Sequence, residues 1–148
     1  METHLDDLLK DGIDKNIFFY VVTYQPLVTK AEGKTIEKGP NYIIYRVPWL
    51  RAGLFLKLEK YPALEFVYLF PGIFIASLFV LIRNKKIDII HAQGIVAGTI
   101  SVFLKKIFNI RNIISTHSIY NFPTSGFYNL FIKFVFKNCD HVLTLSNQ

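Results

Sequence analysis

The chain has 148 residues, 51% hydrophobic and 19% charged, with a net charge of +6. That is length for one domain with a substantial core and too little for two ordinary ones, and the apolar content excludes intrinsic disorder. A single cysteine, Cys139, excludes an internal disulfide and a cysteine-rich zinc site and fits a reducing compartment.

The charge is unevenly spread. Residues 1–74 hold nine basic and nine acidic side chains, whereas 75–148 hold eight basic ones and only Asp88 and Asp140 as acids. Arg83, Lys85, Lys86, Lys105, Lys106, Arg111, Lys133 and Lys137 can attract phosphates or an anionic membrane, or simply keep an apolar domain soluble.

Met1, Leu5, Leu8 and Leu9 stand at helical spacing with Asp6, Asp7 and Lys10 opposite, which predicts a short amphipathic helix closed by Gly12. This charged start does not read as a signal peptide, so a cytoplasmic location is the default. Ile17 to Tyr24 is aromatic and β-branched and predicts a buried strand stopped by Pro26. Residues 27–40 have the composition of a loop or hairpin, and Asn41 to Val47 predicts a second strand stopped by Pro48. Residues 49–64 mix apolar and basic groups and fit a loop with one helical turn.

Residues 66–82 carry no charge. As a helix they would cover about 25 Å of a hydrocarbon core about 30 Å thick, with Pro71-Gly72 interrupting, so a buried helix from Pro71 to about Asn84 is expected rather than a membrane span. A strand over 86–92, a helix over 95–108, a strand over 112–116, a helix over 126–138 and a strand over 141–145 follow. Phe127, Leu130, Phe131, Phe134 and Val135 form the apolar side of the last helix. Alternating strands and helices imply right-handed crossovers and an α/β, Rossmann-like fold, a mostly parallel sheet with helices on both faces. Such a domain normally opens with a strand whose turn feeds a phosphate-receiving helix N-terminus. This chain opens in the helix, so either that strand lies upstream of Met1 or the fold is permuted.

Ligands of open α/β sheets sit beyond the carboxyl ends of the strands. The residues there are Thr23 to Gln25, His91 to Gly94, Ser115 to Ser118, and Ser146 to Gln148. His91 and His117 each end a strand, where histidine can donate to phosphate or sugar hydroxyls or move a proton. A structural hydrogen-bonding role is the competing reading for each. Gly94 permits close backbone approach, and Thr116 and Ser118 add hydroxyls. His4 and His141 lack such surroundings and read as structural. The four histidines have no metal-ligand spacing, so no metal is expected. The fingerprints of dinucleotide binding, P-loop hydrolysis and α/β-hydrolase chemistry are absent. Nucleic acid is not an expected partner, since charge alone would support it and the aromatics fall where a core needs them.

The order of segments resembles the N-terminal domain of family 4 glycosyltransferases. METHLDDLLKDG resembles the helix that follows their Gly-Gly-x-Glu-x-His turn, with Glu2 and His4 matching its tail. IDIIHAQG, residues 87–94, resembles their Asp-x-x-His-x-His strand end, with Gln93 in place of the second histidine. NIISTHS, 112–118, resembles the strand ending in Thr-x-His-Gly or Thr-Asp-His-Ser, and CDHVLTLSN, 139–147, the Ala-Asp-x-Val-x-x-Val-Ser strand.

The resemblance implies the acceptor-side, N-terminal half of a GT-B fold. Residues 1–148 would then be one domain truncated at both ends, lacking the first strand and Gly-Gly turn and the C-terminal donor domain, and inactive alone. It implies a hexosyltransferase of cell envelope glycan biosynthesis that moves a sugar from a nucleotide-sugar to a lipid-linked or glycan acceptor, with retention and without metal or other cofactor. His117 would be the catalytic histidine, and Glu2, His4, His91, Gln93, Gly94, Thr116, Ser118 and Ser146 substrate-binding. Relatives that use lipid acceptors imply a peripheral contact with an anionic membrane at its inner face, for which the basic, aromatic-rich region 46–86 is suited. The alternative is a non-catalytic nucleotide- or partner-binding module of flavodoxin-like type.

Overall fold

In the computed structural model, which describes residues 2–27, 33–48, 54–58, 61–116 and 127–144, strands and helices alternate along two units, residues 1–80 and 81–148. Each unit carries one three-stranded sheet.

The first unit begins with helix α1, Glu2–Asp14. Its end is a Schellman closure: Ile17 N–H donates to the Gly12 carbonyl at 2.9 Å and Asn16 N–H to the Ile13 carbonyl at 3.3 Å. Asn16 takes the left-handed conformation, φ 55°, which asparagine tolerates better than most residues. Gly12, expected as the cap, is inside the helix. A Cβ there would stand 2.1 Å from the Phe19 ring, so its bare backbone is what lets strand β1, Phe19–Tyr24, lie close.

Strand β2, Ile36–Lys38, and strand β3, Tyr42–Val47, form an antiparallel hairpin, while β1 runs parallel to β3 with Phe19 opposite Tyr42 and Tyr24 opposite Val47. The sheet order is β1-β3-β2. Asn41 fastens it to α1, its amide donating to the Leu9 carbonyl at 2.9 Å. Alternate residues of a strand point to opposite faces. Phe19 meets α1, so Tyr24 points to the other face.

On that other face Tyr24 touches helix α3, Pro62–Arg83, which follows the single turn of α2, Leu54–Leu58. Tyr24 Oη donates to the Leu69 carbonyl, and a Cβ on Gly72 would stand 2.6 Å from that oxygen. Helix α3 thus starts nine residues before the expected start at Pro71. Pro62 takes the first-turn place that suits proline, and Pro71 is carried in the interior. An interior proline costs a helix roughly 3 kcal/mol. At 22 residues the helix is about 33 Å long, so shortness is no argument against a membrane span.

The second unit holds a fully parallel sheet of order β4-β5-β6. Strand β4, Ile89–Gln93, is followed by helix α4, Gly94–Phe108. Strand β5, Arg111–Thr116, helix α5, Phe127–Asn138, and strand β6, His141–Thr144, complete it. Val102, Ile114 and Val135 form its core, with Phe131, Phe136 and Cys139 packed against them. Gly98 lets α4 descend onto β5, where a Cβ would meet Ile114 at 3.1 Å. Phe131 and Val135 are inward as expected, but Leu130 is 67% exposed and Phe134 lies under the Lys106 ammonium at 4.9 Å, an attraction an aromatic face supplies at the surface. Cys139 is a core residue with its thiol donating to the Phe136 carbonyl at 3.0 Å. Burial pushes that thiol up from its ordinary value.

A polar network underlies this core. Asn112, fully buried, donates from its side chain to Ser101 Oγ at 2.9 Å, and Ser101 donates to the Gly98 carbonyl at 2.7 Å. The Asn112 backbone N–H donates to Asp140 Oδ2 at 2.8 Å, and Asp140 N–H returns a bond to Asn112 Oδ1 at 3.1 Å. Lys105 closes the group with a 2.6 Å ion pair to Asp140. The Lys105 hydrogen bond first, and the Asn112 N–H second, hold the Asp140 carboxyl below the usual carboxylate range.

Asn112→Ala leaves the Ser101 and Asp140 groups without their buried partner and is expected to cost about 2–4 kcal/mol in urea unfolding. Because the folded pKa of Asp140 is depressed, its contribution is complete above the unfolded value of about 3.9 and is lost as pH falls through the lower folded value. Asp140→Asn should therefore lower the unfolding midpoint at neutral pH, and flatten its fall with acid between about pH 5 and pH 2.

Candidate active-site edge

The carboxyl ends of β4 and β5 form the edge where a ligand of an open parallel sheet belongs. Residues in register on parallel strands share a face. Gln93 is opposite Ser115 and His91 opposite Ile113, which places His91, Gln93 and Ser115 on one face. Ala92, Ile114 and Thr116 lie on the other, the face that packs on α4 and α5.

On the first face His91 Nε2 lies 2.6 Å from Ser115 Oγ. Ser115 is 5% exposed, while His91 is exposed, so a buried hydroxyl orients a ring that solutes can reach. Either partner can supply the proton, depending on the tautomer. Gln93 is extended, with φ −110° and ψ 114°, and its side chain makes no capping bond. Gly94 has φ 85°, a left-handed value that glycine adopts without strain. That turn lets β4 pass into α4 with no residue between. The first-turn N–H groups of α4 have no partners within the helix and carry its positive dipole end. No acidic side chain stands in that turn.

The family comparison falls on this edge as on the rest of the chain. A model of Glycosyltransferase Family 4 matches residues 1–148. The chain belongs to glycosyltransferase family 4. It is a glycosyltransferase domain, and its two sheets are those of a Rossmann-like α/β fold as found in half of a GT-B enzyme. No curated protein matches the chain.

Of the residues the sequence singled out in this family 4 domain, His91, Gln93 and Gly94 come together at the end of β4. Thr116 ends β5 on the opposite face, 9% exposed, with its hydroxyl 3.4 Å from the Leu143 carbonyl. Glu2 and His4 lie in the α1 backbone, with side chains outside the described residues. His117, Ser118 and Ser146 also lie outside the described residues. Ser115, placed by the sequence among the strand-end residues but given no role there, gains one from its bond to His91, 24 residues away on the neighbouring strand, a pairing no local motif encodes. Among the described residues no group of three or more His, Cys, Asp or Glu side chains could hold a metal. A concavity of about 550 Å3, lined by Asn84, Lys85, Ile87, Phe108 and Asn109 among others, opens at the amino ends of β4 and β5, the wrong edge for a ligand of this fold.

Gln93→Ala should leave unfolding free energy within about 0.5 kcal/mol of the parent, since its side chain makes no capping bond. Ser115→Ala should cost about 1 kcal/mol through the lost His91 bond. Urea titrations of both variants distinguish a side chain free for a ligand from one committed to the fold.

Proposed function

We propose that this domain holds the acceptor for a hexosyl transfer from a nucleotide-sugar, proceeding with retention and without metal or other cofactor. The observation that carries the reading is the His91–Ser115 pair at 2.6 Å, exposed on the edge where Gly94 turns the chain into α4. An imidazole held by a buried hydroxyl presents a fixed donor or acceptor to sugar hydroxyls. The neighbouring N–H groups at the start of α4 suit a phosphate or other anionic oxygen. His117, next after Thr116 at the end of β5, is assigned by family resemblance the catalytic place beside the transferred sugar. Ser118, Ser146, Glu2 and His4 are assigned to the substrate cleft on the same ground.

The reading makes the acceptor a lipid-linked or glycan molecule of the cell envelope and places the enzyme in the cytoplasm, against the inner face of the membrane. It also makes residues 1–148 the acceptor half of a larger enzyme. The whole-length family match favours this enzyme over the flavodoxin-like binding module.

In a polypeptide that joins this domain to a family 4 donor domain, His117→Ala should reduce kcat/KM by about 100-fold or more without lowering the melting temperature. Unchanged turnover removes His117 from the site. The 148-residue chain alone should show no transfer, and turnover by it would refute the division of labour.

A further inference from the structure

Which partner donates in the hydrogen bond between His91 and Ser115 decides what the imidazole can offer a ligand. A neutral imidazole carries its proton on one nitrogen and a lone pair on the other, so the bond made at one nitrogen fixes the state of its twin. If Nε2–H donates to the hydroxyl, Nδ1 keeps a lone pair and the ring can take up a proton there. If the hydroxyl donates to Nε2, Nδ1 holds the ring proton and can only give a hydrogen bond.

The burial of Ser115 separates the two cases. Among the described residues its hydroxyl has one hydrogen-bond partner, His91 Nε2, although Gln93 stands opposite it in register. A hydroxyl has one hydrogen to give. Were the ring the donor, that hydrogen would be buried without an acceptor, and an unmet buried donor disfavours the arrangement by about tenfold or more. His91 is exposed, so no comparable constraint acts on the ring. The length of the bond agrees: 2.6 Å falls short of the usual N–H to oxygen range of about 2.7–3.2 Å and lies inside that of hydroxyl donors to oxygen, about 2.5–3.0 Å.

We infer that Ser115 is a positioning residue: its hydroxyl donates to His91 Nε2 and holds the neutral imidazole as the Nδ1–H tautomer, so that His91 meets its ligand as a hydrogen-bond donor and not as a base. The group it reads is an oxygen with a lone pair to give, whether of a phosphate, a carboxylate or a sugar. It does not take the proton of an attacking hydroxyl, because the one nitrogen with a lone pair is occupied by Ser115. The register that sets Gln93 opposite Ser115 thereby decides the proton chemistry of this edge as well as its shape. The use of that donor toward the acceptor rests on the reading of the edge given above, whereas the tautomer does not depend on it.

The tautomer is read by long-range proton–nitrogen correlation on the 148-residue chain carrying isotope-labelled histidine, at about pH 8, above the ordinary imidazole value. The signals lost in His91→Gln identify His91 among the four histidines. In the parent the protonated nitrogen should be Nδ1 and the bare one Nε2. Ser115→Ala should turn most of the ring to the Nε2–H form, and Ser115→Thr, which keeps the hydroxyl, should restore the parent signature. A protonated Nε2 in the parent, or a signature unchanged by Ser115→Ala, would overturn the inference, and the parent spectrum decides even where the alanine variant fails to fold. In a polypeptide joined to a donor domain, Ser115→Ala should raise the acceptor KM by about fivefold or more with a smaller change in kcat, and Ser115→Thr should reverse it. A fall in kcat alone would mark His91 as a base and overturn the inference. The spectrum needs neither donor nor acceptor, so its failure leaves the reading of the edge standing, whereas transfer unaffected by His91→Ala removes His91 from the acceptor whatever its tautomer.

Discussion

The second unit hangs on the pairing of Asn112 with Asp140. A parallel sheet can add strands only if the chain, after each helix, returns to the amino edge at the right height, and this pair fixes that height for β5 and β6. Asp140 bonds the Asn112 backbone through its carboxylate and the Asn112 side chain through its own N–H, so a one-residue slip would break both bonds at once. The Asn112 amide reaches Ser101 and through it the Gly98 carbonyl, so α4 is set by the same group. With β5 and α4 placed, the His91–Ser115 pair at the far edge follows. Its 2.6 Å contact needs Gln93 opposite Ser115, a register decided at the other end of the strand. Removing a polar partner from a buried network leaves the others unsatisfied, which is why a change distant from the ligand edge can disorder it.

Much of this fold is written in local composition. Strand β3 was legible from its β-branched and aromatic run between Asn41 and Pro48, and β4 from the apolar stretch that stops at Gly94. The α/β alternation follows from those segments together. Helix boundaries were less legible where two signals competed. Gly12 looked like a cap because glycine often is one, but its missing side chain serves the Phe19 contact, and Asn16 takes the cap instead. Pro71 looked like a start for the same sort of reason. Pro62 offered an equal first-turn proline nine residues earlier, and only packing against β1 distinguishes them. In the site, His91, Gln93, Gly94 and Ser115 were all visible as strand ends, whereas the bond between His91 and Ser115 arises only through pairing between segments.

The charge distribution can now be divided into parts with different work. Lys105 is spent on the Asp140 pair and on the last carbonyl of α5, which it reaches at 3.2 Å, a helix end that favours a cation. Lys106 lies over Phe134. Neither is simply a solubilising lysine, and a count of net charge treats them alike with Lys85 and Lys86, which stand exposed. The basic excess of the second half is thus partly internal support for α4 and α5.

Helix α3 shows where a hydropathy pattern stops being informative. Amphipathic periodicity reveals the inner face of a helix by contrast with a polar outer one. When both faces are apolar the contrast vanishes, and the sequence is equally consistent with a buried core helix or a membrane span. The geometry breaks the tie in neither direction alone: Tyr24 and Gly72 show one side packed on protein, while Val67 and Ile75 at 66% and 64% exposure show the other side bare.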